Sequence, residues 1–221
     1  MEATGLEIGR EETKQRRALN KAFLQAIKNR AKGSAWRVSK GVVFRDFDGW
    51  FIAAPSAVWL GKRRTQIELK FKPMTLDPIF WEIVETETNV EMPLSFRYWG
   101  AWTCSIPALV EHELDERGAD PTTMADEAFD WLDAQVEQFK SWTTEKFLDF
   151  LREHPRTNSY LATVVTTLFL LGDFATAETL CKEAIKRGDR GGFSVGRESG
   201  PSRSFPELAL AWLDRKRRST H

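Results

Sequence analysis

Residues 65–72 read TQIELKFK, and this stretch gives the clearest strand pattern in the first half of the chain. Apolar and polar side chains alternate along it, with Ile67, Leu69 and Phe71 on one side and Gln66, Glu68, Lys70 and Lys72 on the other. Successive side chains of a strand point to opposite faces, so a period of two predicts a strand with one buried and one polar face. Such strands are typical of antiparallel sheets.

Shorter segments on the N-terminal side extend this strand into an antiparallel meander. An apolar segment ends in the turn signal Asp46–Gly49, and residues 50–53 return as a second strand. Before them, apolar residues at helical spacing among basic residues predict an amphipathic helix from near Glu11 to near Gly33. The first half therefore predicts a helix packed on a three-stranded meander.

The segment after the meander mixes helical and strand signals. Asp77 and Pro78 are suited to be the N-cap and first residue of a short helix. Leu94–Trp102, rich in large aromatic residues, predicts a further strand. Ile106–Leu114 is ambiguous, and we interpret it as a helix.

After Pro121 the sequence is helical to its end. Apolar residues recur at helical spacing, and hydroxyl residues such as Thr143 stand where N-caps are expected. Arg187–Ser204, rich in Gly, Arg and Ser, predicts a mobile loop. The fold class is therefore α+β. Residues 1–118 form an α+β domain and residues 119–221 a helical domain, two parts that can share one core.

Residues 161–185, LATVVTTLFLLGDFATAETLCKEAI, predict two antiparallel helices joined at Gly172. The residues that follow this glycine at the spacing of a packing face are Phe174, Ala177, Cys181 and Ala184. The stretch resembles one unit of the tetratricopeptide-repeat family, which implies a packed helical hairpin and interaction with another protein. It departs from the family at Leu161, where Trp is favoured, and at Arg187–Gly188, where Pro is favoured. In layout alone, the N-terminal half resembles small bacterial domains of unknown function.

The composition of the chain indicates in which cellular compartment the protein resides and which class of partner it binds. The chain has 221 residues with 32 basic and 32 acidic side chains, so no overall field favours nucleic acid or an anionic membrane. The N-terminus lacks the apolar segment of a signal peptide, and no apolar run approaches the about 20 residues that span a membrane. Cys104 and Cys181 lie among apolar residues and predict buried thiols. We expect a cytoplasmic protein without a membrane partner.

A catalytic alternative depends on three polar residues. The order of helices and strands is similar to the core of restriction-type nucleases, which use an Asp and a Glu-x-Lys on successive strands to hold Mg²⁺ and activate water. Asp48 precedes the second strand, and Glu68 and Lys70 share one face of the third. The resemblance implies a Mg²⁺-dependent nuclease-like enzyme with these three residues as its catalytic set. Alternatively, Asp48 serves a hairpin turn, and Glu68 and Lys70 lie on a solvated strand face.

Basic and aromatic side chains occur together at two places. The candidate binding residues are Trp59, Arg63, Arg64, Arg97, Tyr98 and Trp99. This mixture suits single-stranded nucleic acid or a protein interface, although cations lying over core aromatics give the same pattern. We predict a non-catalytic macromolecular-recognition protein of the adaptor, immunity or regulatory type. Another protein is the expected partner and nucleic acid the second choice, with no cofactor outside the nuclease alternative.

Overall fold

A computed structural model describes residues 9–59, 64–98, 102–115, 120–155, 157–196 and 202–219. The helices are α1 (Arg10–Ala31), α2 (Leu76–Ile83), α3 (Pro121–Gln138), α4 (Thr144–Glu153), α5 (Leu161–Leu170), α6 (Phe174–Arg187) and α7 (Phe205–Ser219). Short 3-10 helices span Glu87–Glu91, Leu94–Arg97, Phe139–Ser141 and Thr157–Tyr160. None of the helices in these ranges is long and apolar enough to span a bilayer.

The strands confirm the predicted α+β class. They are β1 (Arg37–Ser39), β2 (Val42–Phe47), β3 (Trp50–Trp59), β4 (Arg64–Pro73), β5 (Val110–Leu114), β6 (Ser194–Val195) and β7 (Arg203–Ser204). The first five form an antiparallel sheet in sequence order, and β6 pairs with β7. The meander is thus longer than the three strands expected from the sequence.

Two-residue turns with positive φ connect the first three strands. Asp48 and Gly49 have φ of 48° and 79°, which confirms the predicted turn between β2 and β3. Lys40 and Gly41 have φ of 47° and 81° between β1 and β2, a turn that the sequence analysis missed. Positive φ at both central residues is the type I′ pattern, whose twist matches that of the flanking strands.

Two predicted elements are wrong. The helix expected over Ile106–Leu114 is instead β5, which pairs antiparallel with β4. The strand expected over Leu94–Trp102 is a 3-10 helix from Leu94 to Arg97, and residues 99–101 lie outside the described ranges. The expectation that Asp77 is an N-cap is also wrong, because Thr75 holds that position and Asp77 is buried.

The chain divides into two compact units, each discontinuous in sequence. The first unit comprises residues 1–45, 52–70 and 108–140, and the second comprises residues 46–51, 71–107 and 141–221. The division into domains at residues 118 and 119 therefore stays a prediction.

The first unit has its core between α1, α3 and strand residues. Phe23 and Ile27 of α1 are completely buried. Trp36 contacts Phe129 of α3 edge-on and donates a 2.8 Å hydrogen bond from Nε1 to Asp133. α3 begins with Pro121 after Asp120, the N-cap, whose carboxylate accepts a 2.9 Å hydrogen bond from Thr122 N. Apolar burial and one long-range indole bond thus hold α3 in place.

The second unit is built around α5. This helix packs against α2, α4, α6 and α7, and its residues 163–169 are all buried. Gly172 has φ of 77° at the hinge to α6, where glycine avoids the steric cost of that conformation. Ala177, Cys181 and Ala184 of α6 are completely buried, whereas Phe174 is exposed. The predicted packing face is therefore present at its small residues, but Phe174, which follows the same spacing, does not belong to it.

Part of the predicted mobile loop is regular structure. Ser194–Val195 pairs with Arg203–Ser204 directly before α7, and residues 197–201 lie outside the described ranges. Glu207 accepts hydrogen bonds from the backbone N–H and the hydroxyl of Ser204, at 2.6 and 2.7 Å. A carboxylate three residues into a helix that binds back to the N-cap stabilises the helix start. The N-terminus of α7 is fixed in this way.

Candidate functional site

The polar side of β4, formed by Gln66, Glu68, Lys70 and Lys72, is not a solvated face. Gln66 is 2% exposed and Lys72 is 1% exposed, although both belong to the polar side of the alternation. Between them, the side chains of Lys70 and Glu68 are 21% and 22% exposed. The sequence-based interpretation of a strand face open to water is therefore wrong. Buried polar groups need partners, and Gln66 and Lys72 each make specific side-chain hydrogen bonds.

The residues of the nuclease alternative fall into two groups. Glu68 and Lys70 do share a face of β4, and Lys70 Nζ lies 3.3 Å from Glu68 Oε2. Asp48 occupies the turn between β2 and β3 and belongs to the second unit, whereas Glu68 and Lys70 belong to the first. Within the described ranges, no three His, Cys, Asp or Glu side chains form a group that could hold a metal ion. The Mg²⁺-dependent alternative stays a prediction.

Lys72 and Asp77 form a buried ion pair in the second unit. Lys72 Nζ donates to Asp77 Oδ1 at 2.7 Å and to the carbonyl oxygens of Arg97 and Cys104 at 2.8 and 3.1 Å. Asp77 also accepts from Cys104 N at 3.1 Å and from Arg97 at 3.2 Å. All three ammonium hydrogens of Lys72 thus have acceptors. Because all three hydrogens are donated within the fold, the ammonium has none left for a ligand or substrate, and Lys72 has a structural role.

Arg97 is held by this buried pair. Its NH1 group donates to Met74 O at 2.8 Å as well as to Asp77, and its guanidinium lies 5.3 Å from the centre of the Trp81 ring. Only 12% of its side chain is exposed. The cation therefore anchors the 3-10 helix to α2. For Arg97, this is the arrangement in which a cation lies over a core aromatic side chain.

The other predicted binding residues lie at or beyond the limits of the described chain. Arg63 and Trp99 are outside the described ranges. Trp59 ends β3 and Arg64 begins β4, but their side chains are not among those described. Tyr98 follows Arg97 and is half-buried. Their role in binding stays a prediction.

A buried thiol lies beside the Lys72–Asp77 pair. Burial raises the pKa of Cys104 well above its ordinary value, and the charge of Asp77 raises it further. Burial likewise raises the pKa of Cys181 to about 12. Reactive cysteines are exposed thiolates in electropositive surroundings, so both groups have the character of structural thiols.

A groove lies on the surface of the second unit, between α2, the 3-10 helix at Glu87–Glu91, and α7. Its volume is about 490 Å³. The side chains that line it are Glu82, Glu87, Trp212, Arg215, Lys216 and Ser219. This volume lies within the range of small-molecule and peptide pockets.

The groove is lined by one indole and by charged side chains of both signs. Trp212 is almost fully buried, and its Nε1 donates to Glu82 Oε2 at 3.2 Å. Lys216 lies 5.2 Å from the centre of the Trp212 ring and pairs with Glu82 at 2.9 Å. Arg215 pairs with Glu85 at 3.0 Å. The acidic side belongs to the segment around α2 and the basic side to α7, so the two sides differ in charge.

Exposed apolar side chains occur beside the groove. Val90 is 61% exposed and Met92 is 47% exposed. Val90 belongs to the same short 3-10 helix as Glu87, and Met92 follows that helix directly. Methionine is enriched among the residues of protein interfaces.

Sequence analysis missed the groove because its two sides are distant in the chain. Glu82 and Trp212 are separated by 130 positions in the sequence. Comparison with family models, curated proteins and solved structures found no match to this chain. What the groove can bind therefore follows from the side chains that line it.

Proposed function

We propose that the protein is a non-catalytic recognition protein that binds a peptide segment of another protein in the groove between α2 and α7. The observation that carries the proposal is the lining of the groove, where Trp212, held by a hydrogen bond to Glu82, lies among charged side chains of both signs. Binding energy at protein interfaces is concentrated in such aromatic anchors near polar rims.

Charge and shape define the segment that would fit. One side of the groove offers Glu82 and Glu87, and the other offers Arg215 and Lys216. A segment with one apolar anchor, a basic residue on one flank and an acidic residue on the other complements this arrangement. Val90 and Met92 would then gain apolar contacts at the end of the groove.

The helical hairpin offers less room for a partner than a repeat unit does. Its first helix, α5, is covered by α2, α4 and α7 as well as by α6. Other helices of the chain therefore occupy several faces of α5, whereas Phe174 and Ile185 of α6 are exposed. This favours the groove over the hairpin as the place of recognition.

The test is recovery of a partner from the native host, followed by binding of that purified partner to variants. Val90→Asp and Arg215→Glu change the groove without removing a buried group, and we expect each to weaken binding at least tenfold, about 1.4 kcal/mol. Ile185→Asp, a matched change of an exposed apolar residue on α6, should bind as wild type. Equal binding by all variants would refute the groove, and selective loss in Ile185→Asp would assign recognition to the hairpin.

The nuclease-like alternative keeps one supporting observation, the Glu68–Lys70 pair on a shared face of β4. A carboxylate and an ammonium side by side can hold a metal-bound water and a phosphate. The discriminating assay is cleavage of single-stranded and duplex DNA and RNA with MgCl₂ by wild type and by the double variant Glu68→Gln/Lys70→Met. Mg²⁺-dependent cleavage that the double variant loses would favour this alternative over the recognition function.

A further inference from the structure

Two glutamates face each other across neighbouring strands of the first unit. Glu68 of β4 is the register partner of Glu111 of β5. Side chains at such opposite positions share one face with Cβ atoms about 4.5–5.5 Å apart, and like charges there destabilise a sheet. Gln66 lies on the same face, two residues before Glu68. Glu113, the register partner of Gln66, also belongs to this face, so one face of the β4–β5 pair carries three carboxylates and an amide. Glu68, Glu111 and the Gln66 amide lie within reach of a common ligand.

Of Glu68 and Glu111, only Glu68 lies beside a cation within the described ranges. Lys70 Nζ lies 3.3 Å from Glu68 Oε2. Glu111 instead accepts a 2.5 Å hydrogen bond from the neutral amide Nε2 of Gln66. Within the described ranges, Glu111 makes no ion pair. Two carboxylates thus share one nearby positive charge.

The amide of Gln66 gives an independent indication of a ligand. Gln66 is 2% exposed, and its Oε1 atom is buried without a hydrogen-bond donor in the described structure. A buried carbonyl oxygen in this state costs about 1–3 kcal/mol. The amide lies against the Glu111 carboxylate, so the group that would satisfy Oε1 also comes close to a negative charge. A cation meets both needs at once.

We propose that Gln66, Glu68 and Glu111 form a Mg²⁺ site on the polar face of β4 and β5. Glu68 and Glu111 supply carboxylate oxygens, and Gln66 supplies its amide oxygen. Mg²⁺ binds oxygen ligands, keeps several waters and uses one or two carboxylates, so a site open to solvent on one side suits it. The solvent-exposed position of Glu111 provides this opening.

The ligand set favours Mg²⁺ over other common ions. Zn²⁺ prefers nitrogen and sulfur ligands in closed tetrahedral sites. Ca²⁺ takes six to eight oxygens and favours richer carboxylate cages. Within the described ranges, no group of three acidic, His or Cys side chains could hold a metal ion, so the proposed site needs the amide oxygen of Gln66 and water as further ligands. The site does not depend on the groove or on a partner.

The first measurement is thermal unfolding of the full chain in EDTA, in MgCl₂, and in NaCl of matched ionic strength. We expect MgCl₂ at about 10 mM to raise Tm by about 3 °C above the NaCl sample, with saturation. The second measurement is titration with MnCl₂, in which binding reduces the electron paramagnetic resonance signal of free Mn²⁺. Saturation at one ion per chain, with competition by MgCl₂, is the expected result.

Variants assign the ion to these residues. Glu111→Gln should weaken Mn²⁺ binding at least tenfold, yet in EDTA its Tm should equal or exceed that of wild type, because the like-charge pair is removed. Glu137→Gln, which removes an exposed carboxylate of α3, is the matched control and should bind as wild type. Absence of Mn²⁺ binding by wild type, or undiminished binding by Glu111→Gln, would overturn the proposal.

Discussion

Lys72 Nζ lies 2.7 Å from Asp77 Oδ1, and both side chains are almost completely shielded from water. Burial of two charges is costly, and their attraction offsets the cost only where further hydrogen bonds satisfy the remaining atoms. Here the carbonyl oxygens of Arg97 and Cys104 accept from the ammonium, and Cys104 N donates to the carboxylate. The pair therefore ties the segments around Arg97 and Cys104 to the end of β4.

Replacement of Lys72 by Met should destabilise the second unit strongly. The methionine keeps much of the side-chain volume but leaves the Asp77 carboxylate buried without its principal partner. Loss of one partner of a buried ion pair costs about 3–5 kcal/mol, and we expect a decrease of this size in the free energy of unfolding. Urea unfolding followed by tryptophan fluorescence measures it. A decrease below about 1 kcal/mol would contradict the structural role of the pair.

Lys182→Met is the matched control for that experiment. Lys182 Nζ also lies close to a carboxylate, 2.6 Å from Glu178 Oε1, but on the exposed surface of α6. Exposed pairs gain little because water screens them and ordering two long side chains costs entropy. The control should therefore lose much less stability than Lys72→Met, which separates burial from the mere presence of an ion pair.

Sequence analysis predicted an element correctly where its apolar residues fit one spacing alone. It was wrong where the spacing fits both a helix and a strand. β4 alternates over seven residues, 66–72, a pattern that fits only a strand. β5 is five residues long, and its apolar ends, Val110 and Leu114, are four positions apart, which suits one face of a helix as well as one face of a strand. Pairing with β4, a contact across about 45 positions in sequence, decided the outcome.

The candidate sites depend on long-range contacts that local patterns do not contain. Asp77 has the local pattern of an N-cap, and only the arrival of Arg97 and Cys104 shows that it binds buried groups instead. Glu111 lies beside Glu68 only because β5 is a strand. A test for alternation in short charged segments would have indicated Glu111, but no local signal places Trp212 beside Glu82.

Gly41→Ala should destabilise the first unit more than Gly33→Ala. Gly41 has φ of 81°, and a Cβ atom there would lie 3.2 Å from Cδ2 of Leu24. Gly33 has a similar φ of 77° but open space around its Cβ position. The left-handed backbone costs both variants about 1–2 kcal/mol. The steric contact should add about 1 kcal/mol to Gly41→Ala alone, and equal losses in urea unfolding would refute this.

Both thiols should be inert in the folded protein. Burial raises the pKa of Cys181 to about 12 and that of Cys104 higher still, while reaction with the disulfide reagent DTNB requires an accessible thiolate. We expect on the order of 0.1 thiol per chain to react in native buffer, and both thiols to react in guanidinium chloride. Rapid reaction of one thiol in native buffer would show that its segment opens readily.

Glu178 should make the stability of the second unit depend on acid pH. Hydrogen bonds from Lys182 and Arg217, which joins α6 to α7, lower the pKa of Glu178 from 4.5 to about 2. Because the folded-state pKa is the lower one, the carboxylate stabilises the fold above pH 4.5 and loses this effect as pH falls toward 2.

Comparison of wild type with Glu178→Gln isolates this effect, since the other carboxylates titrate alike in both proteins. Wild type should exceed Glu178→Gln in free energy of unfolding near neutral pH, and the difference should shrink between pH 4.5 and pH 2. High salt should reduce the difference at neutral pH, because the contacts are exposed. Urea unfolding at several pH values measures it. A difference that stays constant through the acid range would mean that Lys182 and Arg217 do not hold the carboxylate in solution.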